Sequence, residues 1–248
     1  MDHHMHTDGV SPAATVRIIL GSTSTLAGQS YLQYLRPTLA RHFAGVKKLL
    51  FVPYARPGGI SYATYTESAA RFFATLDIEV ENLGAADDPV AAVNAAAAIF
   101  TGGGNTFLLV KTLHEQGLMT AIRDRVGLGI PYLGTSAGAN IGGLTMGTTN
   151  DMPIVYPPSF STLGLVPFNI NPHFLSGRLM ADHMGETRET RIQEFLTQNA
   201  TPVVGLPEGS WIEVAGTHIT LEGSKAAVIF KKDSQPYELA PGSPVLLS

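Results

Sequence analysis

The chain has 248 residues, 44% hydrophobic and 15% charged, with a formal net charge of −4 and no cysteine. This size suits one large α/β domain or two small ones, and no apolar run approaches the roughly 18–20 residues that span a bilayer. The charge leaves no basic footprint for nucleic acid, and the missing cysteines exclude disulfides, thiolate metal sites and a cysteine nucleophile.

In chain order, Met1–Ala14 is polar and rich in histidine (His3, His4, His6) and lacks the basic and apolar regions of a secretory signal. It reads as a disordered extension ahead of a single domain over residues 15–248, and a cytoplasmic location is expected. Val16–Leu20 is a buried-strand run ending at Gly21-Ser22. A helical stretch follows from about Leu26 to His42, interrupted near Pro37. Lys47–Val52 is a second strand stopped by Pro53, and Ser61–Leu76 reads as a helix. Ile78–Leu83 is a third strand, Pro89–Ala95 a short helix, and Ala97–Thr101 a fourth strand halted by Gly102-Gly103-Gly104. Two helical segments, Thr106–Glu115 and Leu118–Val126, lead to an apolar run at Ile130, Tyr132 and Leu133. Strands alternating with helices predict an α/β fold with a mostly parallel, doubly wound sheet covered on both faces.

Further on the pattern changes. Thr148–Asn171 is rich in Pro and Gly, which predicts a long functional loop or a hairpin. Glu186–Gln198 is a helix with acidic residues early and Ile192, Phe195 and Leu196 on one face. Four short strands, Pro202–Leu206, Ser210–Val214, Ile219–Leu221 and Ala226–Phe230, are expected to extend the sheet antiparallel. No repeat or linker divides the chain.

The run Gly134-Thr135-Ser136-Ala137-Gly138 lies between the fifth strand and small residues suited to a tightly packed helix start. In that strand–turn–helix setting, G-x-S-x-G holds a serine out on a sharp turn. An ordinary βα turn also fits the pentapeptide, so Ser136 needs partners: a base to take its proton and an acid to orient the base. Of the eight histidines, three lie in the N-terminal stretch, His42 ends a helix, His114 sits within one, and His218 lies in a polar turn. His183 falls in a flexible-looking segment. His173 follows the strand-like Val166–Ile170, and Pro172 stiffens its backbone, which suits a general base. Asp151 gives the order Ser, Asp, His, whereas Glu208 stands where a buried strand ends and a turn begins. Spacing does not decide between these acids. For the oxyanion, the amide of Ala137 is a natural donor, and the glycine turn could supply a second from Gly103 or Gly104. That turn lacks the Lys-Ser/Thr of a P-loop and the spacing of a dinucleotide fingerprint. No metal motif is present, so neither cofactor nor metal is expected.

Six segments carry a closer likeness: Phe-Thr-Gly-Gly-Gly-Asn-Thr-Phe, Gly-Thr-Ser-Ala-Gly-Ala-Asn, Thr-Thr-Asn-Asp-Met-Pro-Ile-Val, Ile-Asn-Pro-His-Phe, Gly-Glu-Thr-Arg-Glu and Leu-Pro-Glu-Gly-Ser-Trp. In this order they resemble the peptidase E family of α-aspartyl dipeptidases, and the likeness runs from about Val16 to Phe230. The resemblance implies hydrolysis of dipeptides with an N-terminal aspartate by a serine nucleophile. It also implies a fold similar to class I glutamine amidotransferases, which use cysteine where this chain has Ser136. It makes Ser136 the nucleophile and His173 the general base, with Asp151 and Glu208 both candidates for the third member. Glu208 is preferred as orienter for its strand-end position, and Asp151 would then shape the substrate end of the site, binding the free α-amino group. An arginine is the natural fork for the substrate's side-chain carboxylate. Arg188 opposes the dipole of the helix it starts and is the leading candidate, with Asn105 as a further substrate contact. The alternative for Arg188 is a pair with Glu189 or Asp182. The expected partner is a small peptide, with no nucleic acid or membrane, and the chain is expected to be a monomer or homodimer. A serine exopeptidase of other specificity (cyanophycinase-like, or a broader aminopeptidase) and a non-catalytic binding module are the competing readings.

Overall fold

The computed structural model describes residues 15–176 and 186–247; the N-terminal stretch, Asp182 and His183 lie outside them. Its strands are β1 (Arg17–Gly21), β2 (Lys48–Val52), β3 (Glu79–Asn82), β4 (Ile99–Thr101), β5 (Tyr132–Thr135), β6 (Asn169–Pro172), β7 (Val203–Leu206), β8 (Ser210–Ala215), β9 (His218–Gly223), β10 (Ala227–Phe230) and β11 (Tyr237–Leu239). The helices are α1 (Arg36–His42), α2 (Tyr62–Ala74), α3 (Pro89–Ala95), α4 (Thr106–Glu115), α5 (Leu118–Gly127), α6 (Ala137–Asn140) and α7 (Arg188–Gln198).

The central sheet has the order β3-β2-β4-β5-β1-β8-β9. Its first five strands are parallel, and β8 and β9 extend it antiparallel. The period of two in these strands sorts their side chains between two cores. Ile18, Leu20, Leu50, Val52, Ile99 and Tyr132 pack on one face with Val93, Leu109 and Ile122 of α3, α4 and α5. Ile19, Leu49, Phe51, Phe100 and Leu133 pack on the other with Leu39 of α1 and Phe72 and Phe73 of α2. Each such side chain contributes roughly 1.5–3 kcal/mol when fully buried, which is why both faces of a parallel sheet read as near-continuous apolar runs.

Two expectations need correction. Leu26–His42 is not one helix: residues 26–32 form turns, Gln33–Leu35 is a single 3-10 turn, and the α-helix begins only at Arg36. Pro37 opens α1 instead of interrupting it, because in a first turn its fixed φ is suitable and its missing N–H has no acceptor to lose. Of the four C-terminal strands, β8 and β9 do extend the central sheet, but β7 and β10 belong to a second sheet of order β11-β10-β7-β6. There β6 and β7 run parallel, with Pro172 opposite Leu206. This second sheet is sandwiched. Val203 and Phe230 pack under Ile192 and Leu196 of α7, while Ile170, Val204 and Leu206 join the main core. The Pro/Gly-rich stretch is irregular up to β6, apart from one bridge between Thr145 and Ser161.

His42, at the end of α1, places Nε2 3.1 Å from the Tyr132 carbonyl in β5. Burial pulls its pKa down to about 4, against the hydrogen bond, which acts to raise it. An unfolded histidine titrates near 6.5, so below that value the unfolded chain binds more protons than the folded one. The stabilisation is complete above about pH 6.5 and is lost as pH falls toward 4. On the order of 1–2 kcal/mol should vanish through this group between pH 7 and pH 5, after allowing for solvent screening. Denaturant unfolding at both pH values should show a correspondingly smaller pH dependence in His42→Gln; an equal dependence would refute the assignment.

Candidate active site

The site is assembled where the C-terminal ends of both sheets meet. Between β5 and α6 the chain turns so sharply that Ser136 adopts φ 55° and ψ −113°. Such a conformation costs a non-glycine residue on the order of 1–3 kcal/mol and persists only where its surroundings enforce it. Here the Ser136 N–H donates to the Gly21 carbonyl (3.0 Å), and its own carbonyl accepts from Ala139 and Asn140. Neighbouring backbones also come too close for side chains. A Cβ on Gly103 would stand 2.8 Å from the Ser136 Cβ, and one on Gly138 would strike the Thr101 backbone.

Ser136 Oγ lies 2.7 Å from His173 Nε2. His173 follows β6 directly, also at positive φ (54°), and its N–H donates to Ser22 Oγ at 2.8 Å. On the far side of the ring, Nδ1 lies 2.6 Å from Glu208 Oε1. A carboxylate at Nδ1 selects the tautomer with its proton there, which leaves Nε2 as the acceptor for the serine proton. Glu208 occupies the turn after β7, as its strand-end position predicted. Its side chain is 45% exposed and that of His173 33% exposed, so this pair adds little stability. Orientation is its physical effect.

The N–H groups of Gly103, Gly104 and Ala137 make no hydrogen bond among the described residues. Gly104 has φ 145°, so this turn is open to glycine and strained for other residues. Unclaimed amides therefore lie in the glycine turn, whose Gly103 packs against Ser136, and in Ala137 directly after it.

Asp151 is placed differently from Glu208. Its Oδ2 accepts both the N–H and the hydroxyl of Thr106, each at 2.6 Å, and among the described residues it makes no hydrogen bond or ion pair with His173. It thereby reinforces the N-terminus of α4, which Asn105 caps by accepting from the Leu108 N–H. Asn105 Nδ2 donates to the Met152 carbonyl (2.9 Å), so both ends of its side-chain amide are committed. Asn105 joins the glycine turn to the Asp151 segment.

Arg188 starts α7, capped by Thr187, and its Nη1 reaches the Pro172 carbonyl at 3.5 Å. Neither Glu189 nor any other described carboxylate lies within ion-pair distance of it. Burial lowers its pKa, while the Glu208 carboxylate acts in the opposite direction, so Arg188 lies within the field of the histidine's partner. Arg188 and Asp151 line one cavity of about 160 Å³, together with Asn150, Asn171 and Arg191. Asn150 donates to the Pro172 carbonyl (2.7 Å) and accepts from Asn171, which fastens this cavity to the residue before His173. The Oδ1 of Asn171 is buried without a partner. No cluster suited to a metal ion occurs among the described residues.

Sequence reasoning missed Ser22. Its buried hydroxyl accepts from His173 and donates to the Leu206 carbonyl at 2.8 Å, tying the end of β1 to the ends of β6 and β7. The only available signal was a serine directly after a buried strand, which is too common to single out.

A hydroxyl whose proton can pass to an imidazole, at the carboxyl edge of a doubly wound sheet, is the equipment of α/β hydrolases. Residues 18–222 match the family model described as Peptidase family S51, and the chain belongs to that family and is a peptidase. It is 44% identical to peptidase E of Streptomyces coelicolor over 228 residues, covering 92% of this chain and 93% of that one. It is 43% identical over 232 residues to a Drosophila melanogaster protein described as a probable alpha-aspartyl dipeptidase, covering 92% and 95%. The crystal structure of a peptidase from an acI-B1 actinobacterium matches with a TM-score of 0.70 at 18% identity, covering 95% and 98%, which shows a shared fold. Among the described residues no helix is long and apolar enough to cross a membrane.

The different surroundings of the two acids give a test. Glu208→Ala should slow labelling of Ser136 by a fluorophosphonate by about 10²- to 10⁴-fold. Asp151→Ala should label within about threefold of wild type but lower Tm by a few degrees, through loss of about 1–3 kcal/mol of hydrogen bonding to Thr106. Equal slowing in both variants would remove the distinction.

Proposed function

We propose that the chain is a serine-type dipeptidase that releases N-terminal aspartate from Asp-Xaa dipeptides through an acyl-enzyme. Ser136 Oγ attacks the aspartyl carbonyl carbon as its proton moves to His173 Nε2, and Glu208 holds the imidazolium by Nδ1–H. The amide of Ala137 and that of Gly103 or Gly104 receive the oxyanion, each such donor contributing roughly 10²–10³ in rate. The tetrahedral intermediate collapses, the C–N bond breaks, and His173 returns the proton to the leaving amine. Water then enters, gives a proton to His173 and attacks the ester carbon. As this second intermediate collapses, the bond between the carbonyl carbon and Ser136 Oγ breaks, His173 Nε2–H returns its proton to Oγ, and aspartate is freed.

The observation that carries the specificity is Arg188: half-buried, without a described carboxylate partner, and lining a small cavity with Asp151. An N-terminal aspartate brings a side-chain carboxylate for the guanidinium and an α-ammonium for acceptors. Asp151 commits Oδ2 to Thr106, which leaves its other oxygen, and Asn171 Oδ1 is unpaired. The names of the relatives support this reading. It is consistent with a cytoplasmic enzyme acting on short peptides as a monomer or homodimer.

Ser136→Ala should abolish both hydrolysis of Asp-Leu and fluorophosphonate labelling; retained labelling would end the acyl-enzyme reading. Arg188→Met should raise KM for Asp-Leu by about 10- to 100-fold, as loss of a charge-assisted contact does, and should erase selectivity for aspartate over leucine at the first position. A panel of Asp-X, Glu-X, Asp-X-X and β-aspartyl peptides separates this specificity from the cyanophycinase-like and broader aminopeptidase alternatives.

A further inference from the structure

We propose that Tyr65 is a positioning residue for the oxyanion site, its hydroxyl holding the Gly103–Gly104 peptide so that the glycine turn presents its amide beside Ser136. The inference rests on the reading of Ser136 as nucleophile. Tyr65, on α2, is 2% exposed and donates its hydroxyl to the Gly103 carbonyl at 3.0 Å. A trans peptide is planar, so its carbonyl and the following N–H point in opposite directions. Holding the Gly103 oxygen therefore sets the direction of the Gly104 N–H, which has no acceptor among the described residues.

The turn needs such an anchor. Three consecutive glycines lack the Cβ atoms that restrict φ and ψ. The Gly102 N–H is held by the Val52 carbonyl (3.2 Å) and the Asn105 N–H by the Ala55 carbonyl (2.7 Å), but neither bond engages the peptide between Gly103 and Gly104 itself. An amide that swings away from the developing charge contributes little, because oxyanion stabilisation depends on donors already in place. The Tyr65 ring is itself confined. Phe51 meets it edge-on at 5.0 Å, and the Arg56 guanidinium lies 4.2 Å from its centroid. A Cβ on Gly102 would come within 2.8 Å of the Tyr65 Cζ, so the first glycine of the turn makes room for the phenol. Burial raises the phenol pKa, with the charge of Arg56 opposing, so the group stays protonated and remains a donor at neutral pH.

A tyrosine that only fills the core would behave differently when its hydroxyl is removed. Tyr54 provides the comparison: its hydroxyl also donates to a backbone carbonyl, that of Leu83 at 3.3 Å, away from the glycine turn. Tyr65→Phe should lower kcat for Asp-Leu by about 10- to 100-fold with KM within threefold, somewhat less than deleting an oxyanion donor outright. The rate of fluorophosphonate labelling, which does not depend on the aspartate subsite, should fall in parallel. Tyr54→Phe should leave both rates within twofold of wild type, whatever either variant does to Tm. A Tyr65→Phe protein that turns over and labels within twofold of wild type would overturn the proposal while leaving Ser136 as nucleophile. So would a Tyr54→Phe protein slowed as much as Tyr65→Phe. If wild-type Ser136 is not labelled at all, the nucleophile reading itself fails, and this inference with it.

Discussion

Ser136 and His173, the proposed nucleophile and base, stand on different sheets, so the 2.7 Å contact between them depends on how those sheets are joined. The joint is made of buried polar side chains. Ser22, at the end of β1, bonds to His173 and to Leu206 at the ends of β6 and β7. Asn140, in the short helix behind Ser136, donates to the Ile170 carbonyl in β6 at 2.7 Å. Both side chains are fully buried. Breaking either bond would leave an orphaned group in a low-dielectric interior, at about 1–3 kcal/mol. The serine and imidazole are brought together by the backbone that carries them, and little side-chain freedom is left to lose when the contact forms.

The same economy explains the backbone outliers. Ser136 and His173 both sit at positive φ, where non-glycine residues are uncommon. Each ends a strand and must aim a side chain over the carboxyl edge instead of continuing the pleat. The required distortion is held by hydrogen bonds from outside the turn: Gly21 for Ser136, and Ser22 for His173. Residues 21 and 22 thus secure both halves of the proposed relay.

How much of this was legible in the sequence depended on whether the cause was local. The parallel half of the fold was readable because each buried strand is an apolar run punctuated by Gly or Pro, and helices fill the intervals. The elbow was readable because close backbone approach leaves its mark as glycine at positions 134 and 138. Pro172 likewise marked His173. The second sheet was not readable: strands such as Val203–Leu206 are buried on both faces, so their pattern is the same whichever neighbour they pair with. Pro37 misled because a proline that opens a helix and one that breaks it look alike until the residues before it are known to be turns. The choice between Asp151 and Glu208 turned on tertiary distance alone. Both follow turn-forming sequence, yet one reaches His173 and the other binds Thr106 at the start of α4. Ser22 and Tyr65 bond to partners 151 and 38 residues away, beyond any local pattern.

The exposure of Glu208 bears on how the proposed reaction divides its work. A carboxylate nearly half open to water is screened, so its charge stabilises the imidazolium less than a buried one would. Its 2.6 Å bond to Nδ1 still selects the tautomer and the ring orientation, which are geometric effects that solvent does not weaken. Electrostatic stabilisation of the developing charge then falls mainly to backbone amides beside Ser136, where donors are fixed before the reaction begins. Backbone amides cannot be removed by substitution, but the groups that hold them can be. The glycine turn and the side chains packed against it are therefore where single residues would alter the chemistry without touching the Ser–His–Glu relay.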